Sequence, residues 1–376
     1  MLMKQKKDLI ILGIDTSCDD TCIGILEIKN QKSKNKKLTL LSNIISSQVK
    51  LHAKYGGVYP ALAKREHQKN LPLVLKKAIK KANISLKPKS IDFIGVTVGP
   101  GLEPCLWQGI NFAKNLAKLL KTKIIPVNHI EAHFLANFLP KHSKTLQLCL
   151  SDSKNKFYDF KEIFPAICLV VSGGHTQLIL MKNFKKYKII GETRDDAAGE
   201  CFDKTARILG LGYPGGPKIA AEAAKFSQIN PHILINLPRP MIYQKNYDFS
   251  FSGLKTAVLY DFKKRPQKIR SSNEYKIAMA AEIQQAIIDV LIYKTIKAMN
   301  DFNTNSVILG GGVVANDNLR KQFKLTIKKQ NKKIKLLIPP KKFCTDNGAM
   351  IAVTAGFYKN KTKSPQKIQA NSNLKI

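Results

Sequence analysis

The fold is decided by residues 9–28, which read LIILGI, DTSCDD, TCIGILEI, and by their echo at 166–181, which reads AICLVV, SGGHT, QLILM. Residues 9–14 are an apolar run closed by a polar turn, as a buried strand requires. Asp15-Thr16-Ser17-Cys18-Asp19-Asp20 is an acidic, hydroxyl-rich turn, and residues 21–28 alternate small and apolar types like a second strand. In the second copy a strand over 166–171 meets Ser172-Gly173-Gly174-His175-Thr176, and a further strand follows over 177–181. Identity between the copies is low, but the arrangement repeats. Two similar α/β lobes facing one cleft are therefore expected. A third unit has the same grammar: a strand over 307–309, a Gly310-Gly311-Gly312 turn, and Asn316 near the start of a helix.

Working outward, residues 29–37 form a basic loop, and 61–82 read as a helix with Leu71, Val74, Leu75 and Ala78 on its apolar face. A strand over 91–98 stops at Gly99-Pro100-Gly101, a helix runs through Ile110 to Leu120, and a short strand covers 123–127. Residues 140–164 are polar and irregular, as in a linker or insertion. A last helix follows Asp346 and runs through Phe357. Residues 359–376 carry five lysines and no acid. They read as a disordered basic tail whose removal leaves the fold intact.

At 376 residues the chain suits two or three domains. No run approaches the roughly 20 apolar residues that span a bilayer, and the apolar stretch after the Lys-rich start is too short for a signal-peptide core. A soluble cytosolic protein without a membrane partner is expected. Seven scattered cysteines include no C-x-x-C pair, which argues against a zinc ribbon or a redox pair. The net charge is +37. Such a field attracts polyanions, nucleic acid first among them. Only seven of the basic residues are Arg, and the abundance of Lys, Ile and Asn is also what an AT-rich genome produces.

The chemistry-bearing residues lie in and around the turns. Glycine turns after strands present backbone N–H groups to anionic oxygens, so Ser172-Gly173-Gly174 and Gly310–Gly312 suit a nucleotide. Neither is a P-loop or a dinucleotide fingerprint. His129-Ile-Glu-Ala-His133 is the sharpest signal: residues i and i+4 lie within about 40° on a helix face, where two imidazoles can share a metal. Glu131 sits about 200° around the helix from His129, so the H-E-x-x-H route to hydrolysis is disfavoured. A third ligand must come from elsewhere. Asp346 is a candidate, and an N-cap for the last helix is its alternative role. Asp195-Asp196-Ala-Ala-Gly-Glu200-Cys-Phe-Asp203 gathers four acids. Asp203, read as preceding a helix, suits a cap, a ribose hydroxyl or magnesium.

Taken together, the motifs resemble the TsaD (Gcp) family, the tRNA N6-adenosine threonylcarbamoyltransferases. The resemblance runs from Gly13-Ile-Asp-Thr-Ser-Cys-Asp-Asp-Thr21 through Gln48–Gly57, Gly99–Leu102, His129–His133, Val171–Gln177, Asp196–Lys204, Tyr213–Pro217, Phe249–Thr256 and Gly311–Asn316 to Cys344–Met350. It implies the two-lobed actin-like ATPase fold of sugar kinases and heat-shock chaperones. One lobe would span 8–139, completed by helix 346–358, and the other 165–345. It implies that His129, His133 and Asp346 hold one divalent metal, ferrous iron or zinc, with magnesium as a further candidate beside the nucleotide. Val170, Val171, Ser172, Gly173 and Gly174 would contact the acyl and phosphate groups, with Ser172–Gly174 nearest the reacting centre. Asp203, Gly216 and Asn316 would contact adenosine.

The implied reaction moves threonylcarbamoyl from threonylcarbamoyl-AMP to N6 of the adenosine 3′ of the anticodon, in tRNAs reading codons that start with A. Implied partners are tRNA, a smaller TsaB-like paralogue and a TsaE-like P-loop ATPase. Asp15 stands where most relatives have Glu, Ala220 where many have Asp, and Glu103-Pro104 and Lys64 are unusual. A kinase of the same fold, a metalloprotease and a non-catalytic RNA-binding protein are the rival readings. Binding of tRNA should weaken steeply with salt, by about 0.7–0.9 log units per log unit of salt for each phosphate contacted. A flat affinity between low and moderate salt, measured by filter binding, would leave codon usage as the source of the charge.

Overall fold

The structure is a computed structural model that describes residues 8–30, 36–140, 145–148, 160–183, 186–228, 233–330 and 333–376. The chain forms two compact units. The first comprises Met1–Leu51, Val58–Ile163 and Pro339–Ile376, the second His52–Gly57 and Phe164–Ile338.

In the first unit, β1 (Leu9–Asp15) and β2 (Asp20–Asn30) make the expected antiparallel hairpin, with Asp15 opposite Cys22. Strand β3 (Lys36–Ser47) continues the antiparallel run. After α1 (Val49–Ala53) and α2 (Pro60–Ala82), β4 (Phe93–Gly99) pairs parallel to β1. Helix α3 (Glu103–Leu120) starts at the unusual Glu-Pro pair: an acid favours a helix N-terminus and proline costs nothing in the first turn. Strand β5 (Lys123–Asn128) lies parallel to β4 and feeds α4 (His129–Leu135). The 140–164 segment holds β6 (Thr145–Leu148), paired to β3, and α5 (Phe160–Ile163); its residues 141–144 and 149–159 lie outside the described residues, as do 31–35 of the basic loop. The sheet order is β5-β4-β1-β2-β3-β6. Leu71, Val74 and Ala78 of α2 and Leu106, Ile110 and Ala113 of α3 pack with Leu12, Ile14, Ile23 and Ile94 in one core.

The second unit repeats the plan. Strands β7 (Ala166–Val171), β8 (Thr176–Asn183) and β9 (Lys186–Glu192) are antiparallel neighbours. Helices α6 (Ala198–Ile208), α7 (Gly215–Ala223), α8 (Ser252–Lys264), α9 (Gln267–Arg270) and α10 (Asn273–Asp301) follow. Then come β10 (Ser306–Gly310), parallel to β7, α11 (Asp317–Lys328), and β11 (Lys335–Leu337), parallel to β10. The order β11-β10-β7-β8-β9 reproduces β5-β4-β1-β2-β3 in sequence and direction.

The chain then returns to the first unit as α12 (Gly348–Phe357), whose residues 348–356 are all buried. Its first turn lies directly on the β1–β2 hairpin. A Cβ on Gly24 would stand 2.3 Å from Ala349 N, one on Gly13 2.3 Å from Gly348 O, and one on Gly348 2.0 Å from Gly24 N. Only glycine permits that approach.

Residues 359–376 are not the disordered tail read from their composition. Lys363 N–H donates to Ile124 O, Asn371 N–H to Val98 O, and Gly101 N–H to Ser372 O. Ile368 is 1% exposed, and Ala370 and Leu374 pack on the core of this unit. Three apolar side chains spaced among lysines escape a periodicity test, yet together with backbone pairing they anchor the segment. Removing 364–376 should therefore cost at least about 2 kcal/mol and lower the thermal midpoint by several degrees. An unchanged midpoint in a calorimetric scan would restore the disordered reading.

Candidate metal centre

Asn128 sets up α4. Its Oδ1 accepts from Ile130 N–H and Glu131 N–H, at 2.9 and 3.2 Å, which fixes the first turn as an N-cap does. His129 and His133 then share one helix face, 7% and 1% exposed. Glu131 turns away from them and accepts a hydrogen bond from the Tyr358 hydroxyl. The alternatives left open for Asp346 are resolved by its neighbour. Asn347 caps α12, its Oδ1 accepting from Met350 N–H at 2.9 Å. Asp346 is left to face the histidines.

Three ligand atoms converge. His129 Nε2 and His133 Nε2 are 3.2 Å apart, and Asp346 Oδ1 lies 3.5 and 3.3 Å from them. Ligands about 2.0–2.1 Å from a tetrahedral zinc are separated by about 3.3–3.4 Å, so the residues present fit a divalent metal. A facial His₂-carboxylate set suits non-haem ferrous iron as well. Ser17 Oγ donates to Asp346 Oδ2 at 3.4 Å, and Asp15, fully buried, places Oδ2 3.4 Å from His129 Nδ1.

The electrostatics follow from this crowding. Burial alone would lower the His129 value, but Asp346 and Asp15 outweigh it and hold the imidazole up at about 9. Burial would raise the Asp346 carboxyl. The two histidines and the Ser17 hydroxyl instead hold it well below the usual carboxylate range. Burial, then the Asp346 charge, pushes the Asp20 carboxyl up to about 7 against the pull of the Ser47 hydroxyl. Asp20 and Ser17 were not singled out by sequence reasoning. The density of acids and hydroxyls in their turn was the available signal.

The second unit carries the remaining expected site residues. Val170 and Val171 are fully buried and end β7 where Ser172 begins. Ser172 N–H donates to His175 O at 2.8 Å, closing the turn. A Cβ on Gly173 or Gly174 would meet nothing within 4 Å, whereas one on Gly199 would stand 2.5 Å from Ser172 O. The start of α6 is thus pressed onto the Ser172 turn, and the far side of Gly173 and Gly174 is open. Gly311, at φ +95°, packs against Val171 in the same way, 2.3 Å from its carbonyl oxygen to a built Cβ.

Asp203 does not precede a helix; it lies inside α6, and its Oδ1 accepts from Gly215 N–H at 2.6 Å. It holds the start of α7, where Gly216 has room around it. Asn316 caps α11 through Leu319 N–H and donates Nδ2 to Gln284 Oε1 at 2.7 Å.

Metal uptake must displace the proton held on His129. Apparent affinity should rise about tenfold per pH unit and level off above about 9. The sign for stability runs oppositely. The raised His129 value stabilises the metal-free fold fully below the ordinary 6.5, and this is lost as pH climbs through about 9. Chelator competition and thermal unfolding of metal-free protein across this range check both; pH-independent affinity would contradict the assignment.

Residues 39–353 match the family model described as TsaD, tRNA N6-adenosine threonylcarbamoyltransferase. The chain is 47% identical over 371 residues to a protein of that name from Thermosipho africanus (strain TCF52B), covering 98% of this chain and 100% of that one. It is 44% identical over 347 residues to one from Persephonella marina (strain DSM 14350 / EX-H1), covering 92% and 88%. Among solved structures, T. kodakarensis HypF matches with a TM-score of 0.56 at 12% identity, over 95% of this chain and 48% of that chain. That likeness speaks to the fold alone.

Proposed function

The chain belongs to the TsaD family, the tRNA N6-adenosine threonylcarbamoyltransferases, and is a transferase of tRNA modification; on that premise we propose that it takes the threonylcarbamoyl group from threonylcarbamoyl-AMP. The acceptor is N6 of the adenosine 3′ of the anticodon in tRNAs reading codons that start with A. The amine nitrogen attacks the carbamoyl carbon, a C–N bond forms, and the C–O bond to phosphate breaks. The electron pair leaves with AMP, and N6 gives up a proton.

The observation that carries this reading is the triangle of His129, His133 and Asp346, with edges of 3.2, 3.3 and 3.5 Å. When bound, a divalent metal with open positions supplies Lewis-acid charge for an oxyanion or for the threonyl carboxylate. The mixed anhydride is already activated, so no covalent enzyme nucleophile is needed. What the protein must do is orient. Ser172, Gly173 and Gly174 are read as the backbone cradle of the acyl and phosphate groups. Asp203, beside the α7 start, Gly216 in its first turn and Asn316 at the start of α11 are read as the contacts to adenosine. Val170 and Val171 support the cradle from β7. Magnesium with the nucleotide belongs to the same reading.

The repeated strand order supports an actin-like ATPase fold with duplicated halves. A TsaB-like paralogue, a TsaE-like P-loop ATPase and a cytoplasmic setting complete the proposal. No helix among the described residues is long and apolar enough to cross a membrane. A protease reading fares poorly, because the acid it would need, Glu131, is bound to Tyr358.

Incubation with the partners, threonylcarbamoyl-AMP and unmodified tRNA should yield the modified nucleoside by mass spectrometry; its absence with metal-loaded protein would refute the reaction. His133→Ala should lose metal and nearly all transfer while retaining adenine-nucleotide binding. Asn316→Ala should retain metal. It should weaken nucleotide binding by about 1–3 kcal/mol and cost about 1 kcal/mol of stability for the lost cap. Wild-type transfer by His133→Ala would make the metal structural or absent.

A further inference from the structure

We propose that Asp15 is a positioning residue for the metal centre, fixing the tautomer and ring orientation of His129 and, through Ser17, the carboxylate of Asp346. The inference rests on the metal reading of His129, His133 and Asp346.

The geometry leaves His129 one workable arrangement. Its Nε2 faces His133 Nε2 at 3.2 Å and Asp346 Oδ1 at 3.5 Å, so Nε2 is the nitrogen that must offer a lone pair to a metal. The ring proton then sits on Nδ1, in a residue 7% exposed. A buried N–H needs an acceptor. Among the described residues, His129 Nδ1 and Asp15 Oδ2 are each buried with no hydrogen-bond partner, and they lie 3.4 Å apart. Two orphaned polar atoms facing each other at that distance are complementary only as N–H donor and carboxylate acceptor.

The other Asp15 oxygen has a separate duty. Oδ1 accepts from Ser17 N–H at 3.2 Å, and Ser17 Oγ donates to Asp346 Oδ2 at 3.4 Å. One carboxylate at the end of β1 thereby reaches two of the three ligands. Among the described residues His133 Nδ1 is buried with no hydrogen-bond partner and no facing carboxylate of this kind, so the two histidines are not equivalent. A carboxylate behind a ligating imidazole raises its basicity and fixes its direction. An amide in the same place cannot serve both contacts. Its oxygen accepts from either His129 or Ser17, and its NH₂ then confronts an N–H.

The test uses the full chain and cobalt(II) as the probe. Chelator competition gives affinity, ligand-field absorption reports coordination geometry, and the thermal midpoint of metal-free protein reports folding separately. Asp15→Asn should bind cobalt about 10–100-fold more weakly, with shifted absorption bands. Asp15→Glu, which keeps the carboxylate, should recover most of that loss.

The tautomer can be read without any variant. In wild-type protein loaded with zinc, nitrogen NMR should place the His129 proton on Nδ1, and a proton on Nε2 overturns the proposal even if Asp15→Asn does not fold. Asp15→Asn binding cobalt within about twofold of wild type overturns the role of Asp15 and leaves the metal centre standing. Wild-type protein that takes up no cobalt overturns the metal reading, and the role of Asp15 with it. Weakened cobalt binding supports the proposal whatever the transfer assay returns.

Discussion

The metal centre depends on how closely one helix can lie on one hairpin. Gly13 and Gly24 on β1 and β2, and Gly348 at the start of α12, bring backbone to backbone at separations that any Cβ would prevent. Asp346 immediately precedes that turn. A methyl group at any of the three positions would lift α12 off the sheet and draw the carboxylate away from histidines held on a different element. The chemistry of the site therefore rests on three residues with no chemistry of their own.

Crowding is the second constraint. Asp346 faces both imidazoles, Asp15 faces His129, and Asp20 feels the Asp346 charge, all in a largely buried region where unpaired charge is costly. The cluster balances itself with protons: His129 keeps one up to about 9 and Asp20 up to about 7. Of the two, the His129 proton is the positive charge that a divalent cation could take over, since His129 is one of the converging ligand residues. A site that holds a proton among three candidate ligand atoms within 4.8 Å of one another is shaped for exchange between a proton and a metal.

Much of this was legible in the sequence, for identifiable reasons. His129 and His133 announce themselves because helical spacing alone puts them on one face. The hairpin of β1 and β2 and its counterpart β7–β8 are short apolar runs around polar turns, the pattern that one-dimensional reading handles best. Whether Asp346 caps the last helix or faces the histidines is decided by the first turn of α12, where Asn347 takes the cap. Asp203 was misplaced because the small residues before it, Ala197 to Gly199, do not look like a helix start. The long helix α10 lacks a single apolar stripe because it is buried on several sides, with Ile277 to Ala280 and Ala286 to Ile288 all shielded. The 359–376 segment was misjudged from its lysines, which say nothing about the Ile368 and Leu374 between them.

The return of α12 to the first unit has a consequence for biosynthesis. Ser17 and Asp346, neighbours at the metal centre, are separated by 329 positions, and the second unit is translated between them. A nascent chain that has released both histidines from the ribosome still lacks the carboxylate, and a two-histidine pair is a poor metal trap compared with a complete set. If these three residues hold a metal, high-affinity loading would wait until translation has passed Asp346. On the metal reading, a bound ion would mark a chain translated past α12, and shorter products would lack the complete ligand set.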